Sequence, residues 1–119
     1  MRESMPPLQV TVEGIEVVDV REAERYEGRV AGGDRTTDPA IVAYARDGDL
    51  IALQHTEVPP ALEGQGVARR VVQAVLDDVR SRGLTVIPNC GYVRSFIRRH
   101  PAYRDLVHPR YAEAVTDRT

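Results

Sequence analysis

The sequence contains one cysteine, no tryptophan, one phenylalanine and, among its 16 basic residues, no lysine. A single cysteine excludes an internal disulfide and a zinc site built from several thiolates. So few aromatic rings disfavour a stacking platform for single-stranded nucleic acid. No apolar run approaches the roughly 18 residues that a membrane-spanning helix needs. Nucleic acid and membrane are therefore not expected as partners.

What is present is the composition of one ordinary globular domain. The 119 residues are 42% hydrophobic and 29% charged, and the net charge of -2 argues against a chain built to coat nucleic acid. The N-terminal residues MRESMPPLQV lack the apolar core of a secretory signal, so we expect a cytoplasmic location. The three histidines, His55, His100 and His108, have no metal-binding spacing, and no metal is expected.

Three regions follow one another along the chain: a flexible N-terminus at 1–7, a single domain at 8–108 and a C-terminal tail at 109–119, and about the last ten residues are expected to fray. Alternating apolar residues over 8–20 indicate extended chain, 21–30 is a weaker strand, and 31–39 is a loop. The runs 40–46 and 49–58 are rich in β-formers and are separated by Asp47-Gly48, which predicts an antiparallel hairpin. Pro59-Pro60 must end its second strand, because proline cannot donate to the ladder.

A helix is predicted over 66–82, because apolar residues recur there at steps of three and four. The charged residues, including Asp77 and Asp78, then fall mostly on the other side, and Gly83 follows as a C-terminal cap. A short strand at 84–87 and a second helix up to about His100, stopped by Pro101, complete the order. The fold class is therefore α/β (α+β), with a mainly antiparallel sheet early and a strand–helix–strand unit late.

The stretch 57–68 joins a strand to a long helix through a turn with two glycines. The first N–H groups of a helix have no internal partner and, with the helix dipole, form an anion site. The stretch is not a P-loop, since no Gly-Lys-Ser/Thr follows, and it lacks the Gly-x-Gly-x-x-Gly dinucleotide fingerprint. On this local pattern alone, a phosphate site and a plain turn both remain open.

The whole stretch resembles the acyl-CoA-binding loop of the GCN5-related N-acetyltransferases, whose pattern is Gln/Arg-x-x-Gly-x-Gly/Ala. More narrowly, four ordered motifs are similar to the small single-domain branch of that superfamily: His55-Thr56-Glu57-Val58-Pro59, Glu63-Gly64-Gln65-Gly66-Val67-Ala68, Pro88-x-Cys90 and Arg99-His100-Pro101-x-Tyr103. The resemblance covers about 41–107, most of the chain, and it implies a compact fold with a strand–loop–helix unit for acyl-CoA.

The resemblance implies where coenzyme A would bind. Backbone amides around Gly64 to Arg69 would hold its pyrophosphate, and its pantetheine arm would run along the strand near Thr56 to Val58. Glu63 stands where the superfamily usually has Gln or Arg, and Arg69 and Arg70 can offset its charge. The residues expected to contact acetyl-CoA are Thr56, Val58, Glu63, Gly64, Gln65, Gly66, Val67, Ala68 and Arg69.

Three residues are candidates for catalysis. Cys90 precedes a helix, whose N-terminus lowers the pKa of a thiol, and the related sequences usually have a cysteine here. It can be a nucleophile, a proton donor to the leaving thiolate, or a small buried residue. Strand alternation places His55 and Glu57 on one face, where they can act as base and orienter or simply as an exposed hydrogen-bonded pair.

The last helix offers further polar residues for these roles. Tyr92 can protonate the leaving thiolate, as a tyrosine of the following helix does in many related proteins, but its helical spacing favours core packing. Arg94, Arg98 and Arg99 can meet the nucleotide phosphates of coenzyme A or form a solvated basic face.

The function expected from this pattern is acetyl-CoA-dependent N-acetylation of an amine acceptor, with a protein or peptide among the options. The alternative is a coenzyme-A-binding module with little or no catalysis, which acts as a sensor or interaction partner. The acceptor itself is not identified, and a monomer or weak dimer is expected.

Overall fold

The computed structural model describes residues 5–116; the expectations for 1–4 and 117–119 lie outside the described residues. Within the described residues, six strands form one sheet in chain order, and two α-helices follow the fifth and sixth strands. The strands are β1 (Gln9–Val12), β2 (Ile15–Val20), β3 (Arg25–Val30), β4 (Ala40–Asp47), β5 (Leu50–Glu57) and β6 (Thr85–Pro88), and the helices are α1 (Val67–Ser81) and α2 (Gly91–Arg99). Strands β1 to β5 are antiparallel and β6 is parallel to β5, which confirms the predicted fold class.

The hairpin turns differ in detail from the sequence prediction. The extended region 8–20 is a hairpin in itself, which turns at Glu13-Gly14 with positive φ values of 46° and 82°. Asp47 pairs with Leu50, so the turn of the β4–β5 hairpin is Gly48-Asp49, one residue later than predicted. Gly48 has φ 57°, the left-handed conformation that glycine adopts without a Cβ clash.

The sheet has one covered face and one uncovered face. Alternate residues of β2, β3 and β4 are buried against α1, and the side chains between them stay half-buried or exposed. The apolar residues of α2 join the same core. No helix within residues 5–116 covers the other side of β2–β5, which we call the uncovered face.

Helix α1 begins and ends where the glycines predict. Gly66 is its N-cap, and Gly83 follows its C-cap with φ 68°. There the Gly83 N–H donates to Arg80 O and the Leu84 N–H to Val79 O, the two bonds of a Schellman motif. Short 3₁₀ turns at Arg21–Ala23, Pro60–Leu62, Pro101–Leu106 and Pro109–Val115 complete the element order.

One charged residue of α1 lies where the helical pattern did not place it. Asp78 was expected on the polar side, but it is buried between the helix and the sheet. The Tyr26 hydroxyl donates to Asp78 Oδ2 at 2.8 Å, and Arg82 Nε donates to Asp78 Oδ1 at 2.8 Å. Burial and the neighbouring Asp78 carboxylate raise the pKa of Tyr26. The buried charge is therefore compensated by an arginine one turn further along.

The C-terminal segment is ordered structure as far as it is described. Pro109–Val115 forms a 3₁₀ turn, and Val115 is buried in the main core. The Arg98 guanidinium donates to Ala114 O at 2.7 Å and ties the segment to α2. The domain boundaries at residues 8 and 108 stay predictions.

Gly28 of β3 lies directly under α1. A Cβ at this position would overlap Cγ2 of the buried Val71. We therefore expect Gly28→Ala to lower the free energy of unfolding by about 1–3 kcal/mol through overpacking. Urea denaturation measures this as a lower midpoint. Gly91→Ala is the matched control, since its Cβ would only reach Arg94 Nη2 at 3.5 Å; an equal loss in both variants would contradict the packing argument.

Candidate functional site

Strands β5 and β6 separate at the end of their pairing. Their parallel register runs from Leu50 with Thr85 to Leu53 with Pro88 and goes no further. At the same place β5 is irregular against β4, because Tyr44 pairs with Leu53 while Ala43 pairs with His55. Gln54 is thus an extra residue of the β-bulge type, which reverses the alternation of side chains. Beyond it, Thr56 lies on the covered side, and His55 and Glu57 lie on the uncovered face.

The gap between the separated strands is bordered by Thr56 and Cys90. Thr56 Oγ1 lies 3.2 Å from Cys90 Sγ. Cys90 is the N-cap of α2 and is buried, with 7% of its surface exposed. The thiol therefore lies beside the strand predicted to hold the pantetheine arm. Its role as nucleophile, proton donor or packing residue stays a prediction.

The loop before α1 presents a row of backbone N–H groups. Gly64 and Gly66 have φ values of 77° and 70°, and the first bond to a backbone carbonyl in this row runs from Arg70 N to Gly66 O. Within residues 5–116, no backbone carbonyl accepts from the N–H groups of 64–69. A Cβ at Gly64 would meet nothing within 4 Å, so a ligand can approach the backbone closely. These six N–H groups, which lack a backbone acceptor in the part of the chain that the structure describes, suit an anion at the start of the helix.

Arginines surround this loop. A Cβ at Gly66 would lie 3.2 Å from Arg69 Nη2 and 3.3 Å from Arg70 Nη1. Arg70 Nη1 also donates to Gln65 O at 2.6 Å, which holds the turn. The Glu63 side chain is exposed, while the Val67 side chain is in the core and offers the site only its N–H. The loop is therefore flanked by positive charge despite the presence of Glu63.

Tyr92, in the first turn of α2, lies within electrostatic reach of Arg69 at the start of α1. Tyr92 was expected in the core but is 41% exposed, so that prediction was wrong. Partial burial raises the pKa of its hydroxyl, and the nearby charges of Arg69 and Arg99 act in the opposite direction. Arg94 and Arg98 instead donate to the carbonyls of Pro88 and Ala114. Among the three arginines of this helix, Arg99 is the one whose charge acts on the Tyr92 hydroxyl.

His55 and Glu57 form a pair on the uncovered face. His55 Nε2 lies 2.7 Å from Glu57 Oε2, and both side chains are more than half exposed. The predicted sharing of one face by these two residues is confirmed, while their catalytic role stays a prediction. Thr56 lies between them in the chain and faces the opposite side, so the pair and the thiol lie on opposite faces of β5, at the end of the strand that no longer pairs with β6.

A cleft beside Glu57 was missed by sequence reasoning. It has a volume of about 440 Å³ and is lined by Arg25, Asp38, Pro39, Ile41, Glu57, Val58, Pro59 and Pro60. The loop 31–39 was recognised only as a loop, because its composition does not indicate which strand ends it approaches. Only the pairing of Ile41 with Glu57 brings the end of this loop next to the His55–Glu57 pair.

Among residues 5–116, no group of three or more His, Cys, Asp or Glu side chains could hold a metal ion. None of the helices in this range is both long and apolar enough to cross a lipid bilayer.

Comparison with known proteins agrees with this geometry. The family model described as GCN5-related N-acetyl-transferase matches residues 25–106. Protein NATD1 of Mus musculus is 30% identical over 115 residues, which are 95% of this chain and 96% of the mouse protein. Protein NATD1 of Gallus gallus is 31% identical over 105 residues, 86% of this chain and 93% of the chicken protein. The chain therefore belongs to the GCN5-related N-acetyltransferases.

Proposed function

We propose that this protein transfers an acetyl group from acetyl-CoA to a primary amine. The observation that carries the proposal is the separation of β5 and β6 beside a row of unpaired N–H groups. The gap at Thr56 and Cys90 gives room for the thioester end, and the loop 63–69 offers donors for the pyrophosphate. The contact residues proposed for acetyl-CoA are Thr56, Val58, Glu63, Gly64, Gln65, Gly66, Val67, Ala68 and Arg69, of which Val67 contributes through its backbone.

Acetyl-CoA supplies a thioester whose carbonyl carbon is attacked by the amine nitrogen, so that the N–C bond forms, the C–S bond breaks and the thiolate leaves. The protein must remove a proton from the amine, and His55 is the proposed base. A carboxylate only accepts hydrogen bonds, so Nε2 carries the proton shared with Glu57 and Nδ1 has a free lone pair. Glu57 orients the ring and stabilises its charged form once the proton has arrived.

The leaving thiolate needs a proton or a positive environment, and two side chains at the start of α2 are proposed to supply the proton. Cys90 is at the gap, and the exposed Tyr92 hydroxyl follows two residues later. We assign the proton to one of these two without an acyl-enzyme, because direct attack by the amine needs no covalent intermediate. The cytoplasmic location and the monomeric or weakly dimeric state stay predictions from the sequence.

The binding half of the proposal is tested by titrating acetyl-CoA into the purified protein by calorimetry. We expect saturable binding in the micromolar to sub-millimolar range. Gly64→Asp should weaken it at least tenfold, about 1.4 kcal/mol, relative to Gly64→Asn. Both side chains tolerate the left-handed backbone and have the same shape, and a Cβ here meets nothing within 4 Å. Only the carboxylate would repel a pyrophosphate at the loop.

Two results would count against this placement. Equal affinities of the two Gly64 variants would show that the pyrophosphate does not bind at the loop. If the unmodified protein did not bind acetyl-CoA, acetyl-CoA would be excluded as its substrate. Saturable binding without release of free coenzyme A in the presence of any amine would favour the alternative, a binding module without catalysis.

A further inference from the structure

We infer that Arg70 is a positioning residue for acetyl-CoA, which holds the peptide between Gln65 and Gly66 in the orientation that leaves the Gly66 N–H free for the pyrophosphate; this rests on the acetyl-CoA site proposed above. Arg70 Nη1 donates to Gln65 O at 2.6 Å. The Gln65 side chain is fixed as well, because its Nε2 donates to Ala61 O at 3.1 Å. Gln65 is therefore held from two sides, by α1 and by the 3₁₀ turn before the loop.

The carbonyl of Gln65 and the N–H of Gly66 belong to one planar peptide unit. The described residues contain no cis peptide bond, so these two groups point in opposite directions. With the carbonyl bound to Arg70, the Gly66 N–H points away from the arginine, and no backbone carbonyl within residues 5–116 accepts from it. Rotation of this peptide by half a turn would put a carbonyl oxygen where the N–H now points. The orientation of one peptide therefore decides whether the loop attracts or repels an anion at this position.

Glycine makes this rotation easy. A peptide rotation changes the φ of the residue that follows, here Gly66, whose φ is 70°. Glycine adopts positive and negative φ about equally readily, because it has no Cβ. The residue that lets a ligand approach the backbone thus also leaves the peptide free to turn. A side chain is needed to hold it, and Arg70 makes that contact.

The Arg70 side chain can hold the loop because it is itself held. Its Nε is shielded from solvent and has no hydrogen-bond partner among the described residues. Glu13, in the turn between β1 and β2, brings Oε1 to 3.8 Å from this Nε, which is an ion-pair distance. Glu13 has φ 46°, a left-handed conformation that is uncommon for glutamate. The first hairpin therefore supports the arginine that supports the loop.

The test compares Arg70→Met with Arg80→Met, which removes the same charge from a more exposed arginine near the other end of α1. Arg70→Met should weaken acetyl-CoA binding about tenfold in calorimetry, and Arg80→Met should leave it unchanged. S-acetylpantetheine has the thioester but no pyrophosphate, so in an NMR titration it should bind both variants as it binds the unmodified protein. If Arg70→Met weakened the binding of both ligands equally, or of neither, the inference would be overturned.

A spectroscopic measurement on the ligand-free protein separates positioning from a direct charge contact with the phosphates. In ¹⁵N-labelled Arg70→Met, exchange between two peptide orientations should broaden the Gly66 amide resonance. Arg69→Met removes the neighbouring charge at the same loop and should leave that resonance sharp. Broadening in both variants, or in neither, would contradict the positioning role.

Failure of the proposed acetyl transfer would give a different result. If acetyl-CoA bound as expected but no amine released free coenzyme A, the transfer would be refuted and the role of Arg70 in binding would stand. If the unmodified protein did not bind acetyl-CoA, both would be refuted.

Discussion

Asp78→Ala is expected to lower the free energy of unfolding by about 3–5 kcal/mol, the cost of leaving one member of a buried ion pair alone. Asp78 and Arg82 are 4% and 5% exposed, and Arg82 Nε donates to the Asp78 carboxylate at 2.8 Å. The substitution also removes the acceptor of the buried Tyr26 hydroxyl. A domain of this size has only about 5–15 kcal/mol of stability, so the loss should be large in urea denaturation.

The chain offers a matched control for this variant one residue earlier. Asp77 is exposed on the same helix and accepts a hydrogen bond from the Tyr103 hydroxyl at 2.8 Å. Asp77→Ala should therefore cost about 1 kcal/mol or less. The double variant Asp78→Leu, Arg82→Met removes both charges and should regain the part of the stability that an unpaired buried charge costs, while the Tyr26 hydroxyl stays without its acceptor. If Asp78→Ala and Asp77→Ala unfolded at the same urea concentration, the buried pair would not hold α1 to the sheet.

His55→Ala is expected to lower kcat/KM for the accepted amine about 100- to 10,000-fold, the usual contribution of a positioned general base. The affinity for acetyl-CoA should not change, because the His55 side chain lies on the uncovered face, whereas Thr56 and Cys90 border the gap. Steady-state kinetics and calorimetry on one protein preparation separate the two effects. Glu57→Gln should give a smaller loss, since it removes the charge that stabilises the protonated ring.

Gln54→Ala is the control for this series. Gln54 is the exposed extra residue of β5 and precedes His55 directly, so the variant changes the same strand without touching the pair. Near-normal activity is expected. If His55→Ala lost no more activity than Gln54→Ala, another group would have to take the proton from the amine.

Local patterns predicted the elements of the fold well, because the relevant signals lie close together in the chain. Each signal acts over a few residues: the glycines at the two ends of α1, the valine-rich stripe between them, and the Asp-Gly pair of the hairpin. Asp78 could not be predicted in the same way. Its hydrogen-bond donor Tyr26 is 52 residues away in the chain, and helical periodicity treats an aspartate as a surface residue.

The residues of the candidate site on strand β5 and in the loop before α1 were predictable from the sequence. The residues that surround them were less predictable. His55 and Glu57 share a face in any regular strand, so their pairing followed from spacing alone. The sequence pattern assigns Tyr92 to the core because it precedes Phe96 by four residues, but the buried side of the short helix α2 consists of Val93, Phe96 and Ile97. The cleft at Asp38 arises where a loop meets strand ends distant in sequence, and no local pattern encodes that meeting.

The order of the strands in the sheet bears on how the chain reaches this structure. Each of the first five strands pairs with the strand next to it in sequence, so those contacts close short loops, and such local pairings form quickly. The pairing of β5 with β6 is different, since it must wait until the whole of α1 has been laid across the sheet. The gap that borders Thr56 and Cys90 belongs to this last pairing. Ligand affinity at the gap therefore reports that β5 and β6 have paired. A chain in which only the hairpins have formed would have no gap and no affinity for the ligand.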